Sequence, residues 1–328
     1  MKTKIPDISK QIDKEELLII LQNEYSVLGP LWVNSQIEWL NSIYISFKNH
    51  DKFLIVIYLI KKTLNFYSRN FVKLSYDEFY EKDTVEIEKF SISEISNNLN
   101  IPKESARRKI IELENLGVIK KKINKTIIDR SAFTHVKPVK TIKRIARFLS
   151  ILSSFCSDKK ILEKKINSED LVIMIKKNFT QIWIAYYDLQ IPMMLSYKKI
   201  FSDLETFHIF GTCVVNAHYS TMKFNKNIMH RDIFIESLLS NNKKGLGINA
   251  MSISDITNIP RATVIRKLQK LVKLKILTID EKKHYRLSGF FAKTLKPTQS
   301  IVLEQLSNFS SKVFNQVIAN ESNPNLHL

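Results

Sequence analysis

The sequence is poor in the residues that mark secreted or metal-binding proteins. Only two cysteines occur in the 328 residues, Cys156 and Cys213, and both lie in apolar surroundings without a spacing partner. They form neither a disulfide framework nor a metal motif, and a reducing compartment is the simple expectation. Residues 1–16 contain no apolar signal core, and the longest apolar run, 53–60, is far shorter than the ~20 residues that span a bilayer. We therefore expect a cytoplasmic protein without a membrane segment.

Glycine and proline are also scarce, with six and eight residues respectively. This scarcity disfavours turn-rich all-β folds and favours long helices. A glycine-rich phosphate loop is missing, because Gly245-Leu246-Gly247 lacks the third glycine and the required context. The seven histidines show no metal spacing with cysteine or carboxylate. Since no catalytic constellation is found either, we predict a protein that is not an enzyme and has no cofactor or metal.

Positive charge is what the sequence has in excess, with a formal net charge of +19. A field of this sign attracts phosphate polyanions and anionic membrane surfaces. The chain is rich in Ile, Lys and Asn, a bias that codon composition can produce, so the positions of arginine are more informative than the total charge. Only ten of the 51 basic residues are arginine, and four of these ten lie within 101–119 and 259–277.

These two stretches are copies of one internal repeat. They read IPKESARRKIIELENLGVI and IPRATVIRKLQKLVKLKIL, with six of 19 positions identical. Residue usage alone would give roughly one or two identities. The similarity extends upstream to 91–95, where two registers fit the sequence. A three-residue gap pairs Ile95 with Ile256, whereas an ungapped alignment pairs Ile95 with Ile253.

The same order of elements is predicted around each copy: a short helix, a turn, a second helix and a β-hairpin. In the first copy the helix-turn-helix covers about 91–117 and the hairpin 118–128, with Gly117 placed to end the second helix. In the second copy the corresponding ranges are about 250–275 and 276–288. A domain boundary near Pro138 gives two halves, 1–137 and 138–328.

Apolar residues at helical spacing predict further helices outside the repeat. Pro192 is expected to break or kink one of them. The stretches 68–89 and 220–248 carry no clear pattern. The predicted helices are 35–47, 52–67, 136–155, 168–201, 203–219 and the C-terminal helix 297–318.

The second helix of a helix-turn-helix lies in the DNA major groove and exposes its N-terminal turns to the base edges. One face must be apolar to seat it on its own domain, and the other must carry cationic and hydrogen-bonding groups. The expected seating residues are Ala106, Ile110, Leu113, Leu116, Val264, Leu268, Leu271 and Leu274. The candidate DNA contacts on the helices are Lys103, Glu104, Ser105, Arg107, Arg108, Arg261, Thr263, Arg266 and Lys267, and those on the hairpins are Lys121, Lys122, Lys125, Lys282 and Lys283.

These residue types suit base recognition. Arginine bridges guanine O6 and N7, glutamate accepts from cytosine N4, and serine or threonine suits base edges or phosphate. An apolar stripe opposite a charged face also describes many solvated surface helices, and this reading competes with the functional one.

The segments IPKESARRKI (101–110) and IPRATVIRKL (259–268) resemble the turn and recognition helix of bacterial winged-helix regulators of the MarR and IclR type. The resemblance covers a limited part of each half. It implies binding of operator DNA, usually by a dimer, with this helix in the major groove. Carried over by position, it assigns DNA contacts to Lys103, Ser105, Arg107, Arg108, Arg261, Thr263 and Arg266. Two departures are a shortened helix before the second turn and Ile265 in place of a polar residue.

We therefore expect a mainly α protein with small β-hairpin wings, built from two winged helix-turn-helix units in tandem. It would bind double-stranded DNA as a transcriptional regulator, either as an intramolecular pseudo-dimer or as a homodimer. Two alternatives are a plasmid-type replication initiator that binds direct repeats and a winged-helix protein scaffold in chromosome organisation. The DNA sequence and any small-molecule effector are not identified. Five aromatic residues are candidates for an effector pocket or a helix interface, and core packing is the favoured alternative: Trp32, Trp39, Trp183, Tyr186 and Tyr187.

Overall fold

The computed structural model describes residues 11–132, 138–224, 227–241 and 247–322. Some sequence predictions fall on 1–10, on 133–137 at the expected domain boundary, or near Gly245, and these lie outside the described residues. The described chain is mainly helical, with fourteen α-helices and two small antiparallel sheets. None of the described helices combines the length and the apolar character needed to cross a bilayer.

By its order of elements the first half of the structure extends beyond Pro138 to residue 158, and it contains seven helices and three strands among the described residues. Their order is α1 (Lys14–Asn23), α2 (Tyr25–Phe47), α3 (His50–Arg69), α4 (Tyr76–Phe79), β1 (Thr84–Ile87), α5 (Ile92–Leu99), α6 (Lys103–Asn115), β2 (Ile119–Lys122), β3 (Lys125–Asp129) and α7 (Val139–Asp158). A short 3-10 turn, Arg130–Ala132, follows β3.

The second half has a closely similar order of elements. It consists of α8 (Ser168–Lys177), α9 (Phe179–Phe201), α10 (Leu204–Phe224), α11 (Arg231–Asn241), α12 (Ala250–Thr257), α13 (Arg261–Lys273), β4 (Leu277–Ile279), β5 (Tyr285–Leu287) and α14 (Gly289–Ser322). Both hairpins lie where the sequence predicts them.

The short helices α5 and α12 select the ungapped register of the repeat. Each has eight residues and begins after a side-chain cap, Ser91 on Glu94 N–H and Asn249 on Ser252 N–H. Each also ends at an asparagine in the left-handed conformation, with φ 48° at Asn100 and φ 58° at Asn258. Ile95 therefore corresponds to Ile253, and the expected shortening of the helix before the second turn is wrong.

The two sheets repeat one strand order. In the first, β1 pairs with β3 and β3 pairs with β2, all antiparallel. In the second, β5 pairs with β4, and a single bridge from Tyr285 to Ile248 occupies the position that β1 holds in the first sheet. The sequence did not predict β1, because its four residues lie in a charged stretch and alternate too briefly to give a pattern.

Pro192 does not break its helix and Pro297 does not begin one, since both prolines lie inside helices. The chain is helical on both sides of Pro192, and α8 and α9 are instead separated at Asn178. Helix α14 contains Pro297 and begins at Gly289, eight residues before the predicted start. A proline costs one helical hydrogen bond. The buried neighbours Ile191 and Met193 of Pro192, and Leu295 near Pro297, offset that loss by packing in the core.

The helices of the two halves exchange partners. Helices α1, α2 and α3 have 10, 23 and 20 residues, and α8, α9 and α10 have 10, 23 and 21. Helix α1 packs on α14 of the other half, and α8 packs on α7. Likewise α3 packs on α9 and α10 packs on α2. One apolar core runs through both halves. The predicted boundary near Pro138 falls before α7, whereas the order of elements starts again at α8.

Candidate nucleic-acid interface

Helices α6 and α13 are seated by the same apolar face. Ala106, Ile110 and Leu113 are at most 3% exposed, and Val264, Leu268 and Leu271 are fully buried. The fourth residue of each predicted apolar stripe is not buried. Leu116 is 52% exposed and Leu274 is 43% exposed, because each is the C-cap residue, where the chain leaves the helix. The seating face is therefore one turn shorter than the spacing predicts.

One identical lysine of the repeat faces the protein interior in both copies. Lys109 Nζ lies 3.4 Å from Oδ1 of Asn49, and Lys267 Nζ lies 2.7 Å from Oδ2 of Asp203. Asn49 is the N-cap of α3, and Asp203 accepts from the Thr206 N–H in the first turn of α10. Each lysine thus attaches the second helix of the repeat to the start of a long core helix. Lys267, a candidate DNA contact, is engaged here and does not lie with the outward set.

The pKa shifts of Lys109 and Asp203 agree with these contacts. Burial lowers the pKa of Lys109, and the nearby carboxylate of Asp51 partly opposes that shift. Burial acts to raise the pKa of Asp203, but hydrogen bonds from Lys267 and Thr206 together outweigh it, so the pKa is lowered. Both contacts are therefore charge-assisted, and such hydrogen bonds are stronger than neutral ones.

The outward face of α6 carries cations that are paired with acids of the same helix. Lys103, Glu104, Arg107 and Arg108 are exposed, and Ser105 is half-buried. Arg107 Nε lies 3.7 Å from Glu104 Oε1, and Arg108 Nε lies 3.9 Å from Glu112 Oε1. Exposed pairs of this kind stabilise a protein by little, so a phosphate or base edge displaces them at small cost.

The outward face of α13 differs in its charge balance. Arg261 and Arg266 are exposed and Thr263 is half-buried. Within the part of the chain that is described, no carboxylate reaches the 4.0 Å ion-pair distance from either arginine. The sequence of α13 contains no acidic residue, whereas α6 contains Glu104, Glu112 and Glu114. The second copy therefore presents the stronger positive field, although Ile265 interrupts its polar face.

The first hairpin stands beside α6 and ends in a basic tip. Lys121, Lys122 and Lys125 are exposed. Lys121 Nζ lies 2.8 Å from Glu114 Oε1, an ion pair without hydrogen-bond geometry that links the hairpin to α6. Ile123 at the tip is fully exposed.

The second hairpin has shorter strands than the first and a longer turn, residues 280–284. Lys282 and Lys283 are exposed. Asp280 accepts from the His284 N–H at 2.9 Å and pairs with Arg286 at 3.1 Å, which holds the turn closed.

Two buried histidines join the halves next to the lysine attachments. His50 Nε2 on α3 lies 3.2 Å from His208 Nδ1 on α10, and His208 Nε2 lies 2.7 Å from Asn41 Oδ1. Burial lowers the pKa of His50 to about 4 and that of His208 well below its usual value. Both rings are therefore neutral near pH 7 and serve packing between the halves. Among the described residues, no group of three or more His, Cys, Asp or Glu side chains has the arrangement of a metal site.

The sequence did not predict that Lys109 and Lys267 face the interior. The signal was available, because the two copies of the repeat have the same residue at this position. The sequence also did not point to Arg130, which is 1% exposed at the end of β3. The remaining candidate contacts on α6, on α13 and on the two hairpins are exposed, except Ser105 and Thr263, which are half-buried near the helix starts. No protein-family model, no curated protein and no solved structure matches this chain.

Proposed function

We propose that this protein binds double-stranded DNA with α6 and α13 in the major groove, as two winged helix-turn-helix units in tandem. The observation that carries the proposal is the repeated unit itself. In both copies a seated helix follows a capped eight-residue helix, precedes a hairpin and turns arginines outward. The strand order and the inward lysine are also common to both copies.

The exposed side chains are of the types that bind the base edges and phosphates of duplex DNA. Guanidinium forks of Arg107, Arg108, Arg261 and Arg266 suit guanine edges or phosphates, and the hairpin lysines suit the flanking backbone. The net charge of +19 supplies the sequence-independent attraction. Because the outward residues of the two copies differ, the two half-sites need not have the same sequence.

The exchange of helix partners supports a pseudo-dimer within one chain. Reciprocal contacts, α1 with α14 and α8 with α7, are those that a two-fold axis generates. A two-fold relation orients two recognition helices toward inverted half-sites. This arrangement favours a transcriptional regulator at an operator over an initiator that binds direct repeats.

The test is selection of bound sequences from a random duplex pool at a stated salt concentration, followed by affinity measurement on the enriched site. We expect two inverted, non-identical half-sites. Arg108→Ala combined with Arg266→Ala should lower affinity, with each guanine-reading arginine worth about 1–3 kcal/mol. Arg147→Ala, which removes an exposed arginine of α7 outside both copies, is the matched control. Unchanged affinity in the double variant, or no enriched sequence, would reject the proposal in favour of a protein scaffold.

A further inference from the structure

An aromatic cavity of about 260 Å³ lies where α2 and α3 of the first half meet α7 and α9. Its walls include Trp39, Phe53, Tyr80, Trp183, Tyr186 and Tyr187. The cavity lies away from the outward faces of α6 and α13, none of whose residues line it.

Arg130 lines this cavity and is almost completely buried. Its Nε donates to the Asp83 carbonyl at 3.2 Å, and its Nη2 donates to the carbonyls of Phe79, at 2.9 Å, and Lys82. The guanidinium carbon lies 4.4 Å from the centre of the Tyr80 ring. These contacts fix the orientation of the guanidinium group, and the Tyr80 hydroxyl lies close enough to interact with it. The buried Nη1 has no partner with hydrogen-bond geometry.

No anion balances this buried cation among the described residues. No carboxylate lies within 4.0 Å of the guanidinium, and the charge of Asp83 acts on it only from a longer distance. Burial raises the pKa of the Tyr80 hydroxyl well above its ordinary value, so this neighbour is neutral. Arginine keeps its charge in proteins, and an unpaired buried charge is strongly unfavourable. Only neutral groups therefore contact the guanidinium, and the site has a local excess of positive charge.

Two more cations border the same cavity. Arg144 on α7 lines it and pairs with Glu38 Oε2 at 2.6 Å, which leaves its other guanidinium nitrogens for further contacts. Lys140, one turn earlier on α7, is exposed at the rim. Glu38 does not line the cavity. An anion that enters from this side passes basic groups before it reaches Arg130.

We propose that this cavity is a binding site for a small aromatic carboxylate. The carboxylate would accept from Nη1 of Arg130 and the ring would pack among the tryptophan and tyrosine side chains. A dry cavity of roughly 150 Å³ holds benzene, so the available volume accommodates two fused rings with one acidic group. An aliphatic acid would forgo the aromatic contacts, and a neutral aromatic would leave the guanidinium unpaired. This site goes beyond DNA binding and does not depend on it.

The proposal is tested by calorimetric titration of the full chain with 2-naphthoate in the absence of DNA. We expect one site per chain. The neutral analogue 2-naphthamide and the non-aromatic cyclohexanecarboxylate should each bind at least about tenfold more weakly. Equal affinity for the acid and the amide, or no binding of 2-naphthoate up to its solubility limit, would overturn the proposal.

Two variants locate the site. Arg130→Gln removes the charge and should weaken 2-naphthoate binding at least about tenfold, whereas Arg147→Gln, an exposed arginine on α7, should change it less than about twofold. Arg130→Gln is assessed only if its circular dichroism matches the parent protein. Val139→Trp places a larger side chain at the half-exposed rim of the cavity and should abolish binding without touching Arg130. Undiminished binding in Val139→Trp would place the ligand elsewhere and reject the assignment.

Discussion

The ammonium group of Lys267 lies 2.7 Å from the carboxylate of Asp203, and this contact attaches α13 to the start of α10. Lys109 and Asn49 make the corresponding contact in the first half, at 3.4 Å. The second half pairs lysine with aspartate and the first pairs lysine with asparagine, but the contact joins corresponding helices in both. The positions of α6 and α13 therefore depend on a lysine that cannot be distinguished from other basic residues in the sequence alone.

Replacing this lysine should affect folding more than DNA binding. Lys267→Met leaves Asp203 without its strongest partner, and we expect the free energy of unfolding to fall by about 1–2 kcal/mol. The slope of log affinity against log salt should stay the same, because Lys267 contacts no phosphate in the proposed complex. Urea unfolding and anisotropy titrations measure the two effects. Lys273→Met, which removes an exposed lysine of the same helix, should cost less than about 0.5 kcal/mol in stability. A reduced salt slope with normal stability would instead make Lys267 a DNA contact.

The two recognition helices should contribute unequally to DNA affinity. Arg261→Ala with Arg266→Ala removes two cations that have no paired acid among the described residues, and the salt slope should fall by about 2. Arg107→Ala with Arg108→Ala should lower the slope less, because these arginines must first leave Glu104 and Glu112. Anisotropy titrations on one duplex at several salt concentrations compare the pairs. A larger change in the α6 pair would contradict the charge argument.

The residue after each recognition helix gives a paired prediction on stability. Gly117 has φ +73°, and Lys275 holds the corresponding place with φ 57°. A side chain is disfavoured in this conformation, so Gly117→Ala should lower the free energy of unfolding by about 1 kcal/mol. Lys275→Gly should raise it by roughly 0.5 kcal/mol, since relief of strain exceeds the added entropy of the unfolded chain. Thermal and urea unfolding would show opposite signs for the two variants, and changes of one sign would refute the comparison.

Buried histidines predict that acid destabilises the protein. Burial lowers the pKa of His218 to about 4, while the unfolded chain titrates near 6.5. Below pH 6.5 the unfolded state therefore binds more protons, and stability is lost as pH falls from about 6.5 to about 4. His218 alone accounts for a loss of at most roughly 3 kcal/mol, and His50 adds to it. His218→Phe, which keeps a ring against Phe234, should flatten the pH dependence of urea unfolding. An equally steep dependence in this variant would exclude His218 as its source.

Local patterns predicted the elements of the repeat and the long helices outside it, but not all of their boundaries. Ala106, Ile110 and Leu113 define the seated face of α6 by their spacing, and Gly117 marks its end, so both facts lie within one stretch of chain. The same reasoning failed at Leu116, because a spacing rule does not say where the last turn stops. At Pro192 the sequence left a break or a kink open, and the helix continues because burial of the neighbouring residues offsets the lost hydrogen bond.

Features that depend on residues far apart in the chain could not be predicted from the sequence. Arg130 is buried because carbonyls of Phe79 and Lys82, about 50 positions earlier in the chain, accept from its guanidinium. The orientation of Lys267 depends on Asp203, and the strand β1 is defined by pairing with β3. The DNA contacts predicted from sequence stay predictions, since the fold fixes which side chains face outward and not what they touch.

The exchange of helices between the halves makes their association independent of the protein's concentration. Because α1 completes its packing on α14 and α8 on α7 within one polypeptide, joining the halves is an intramolecular event. Two separate subunits with the same contacts would come apart on dilution. In this chain the association of the halves that carry α6 and α13 is independent of how many molecules a cell contains, so a handful of copies would be as fully assembled as a large excess.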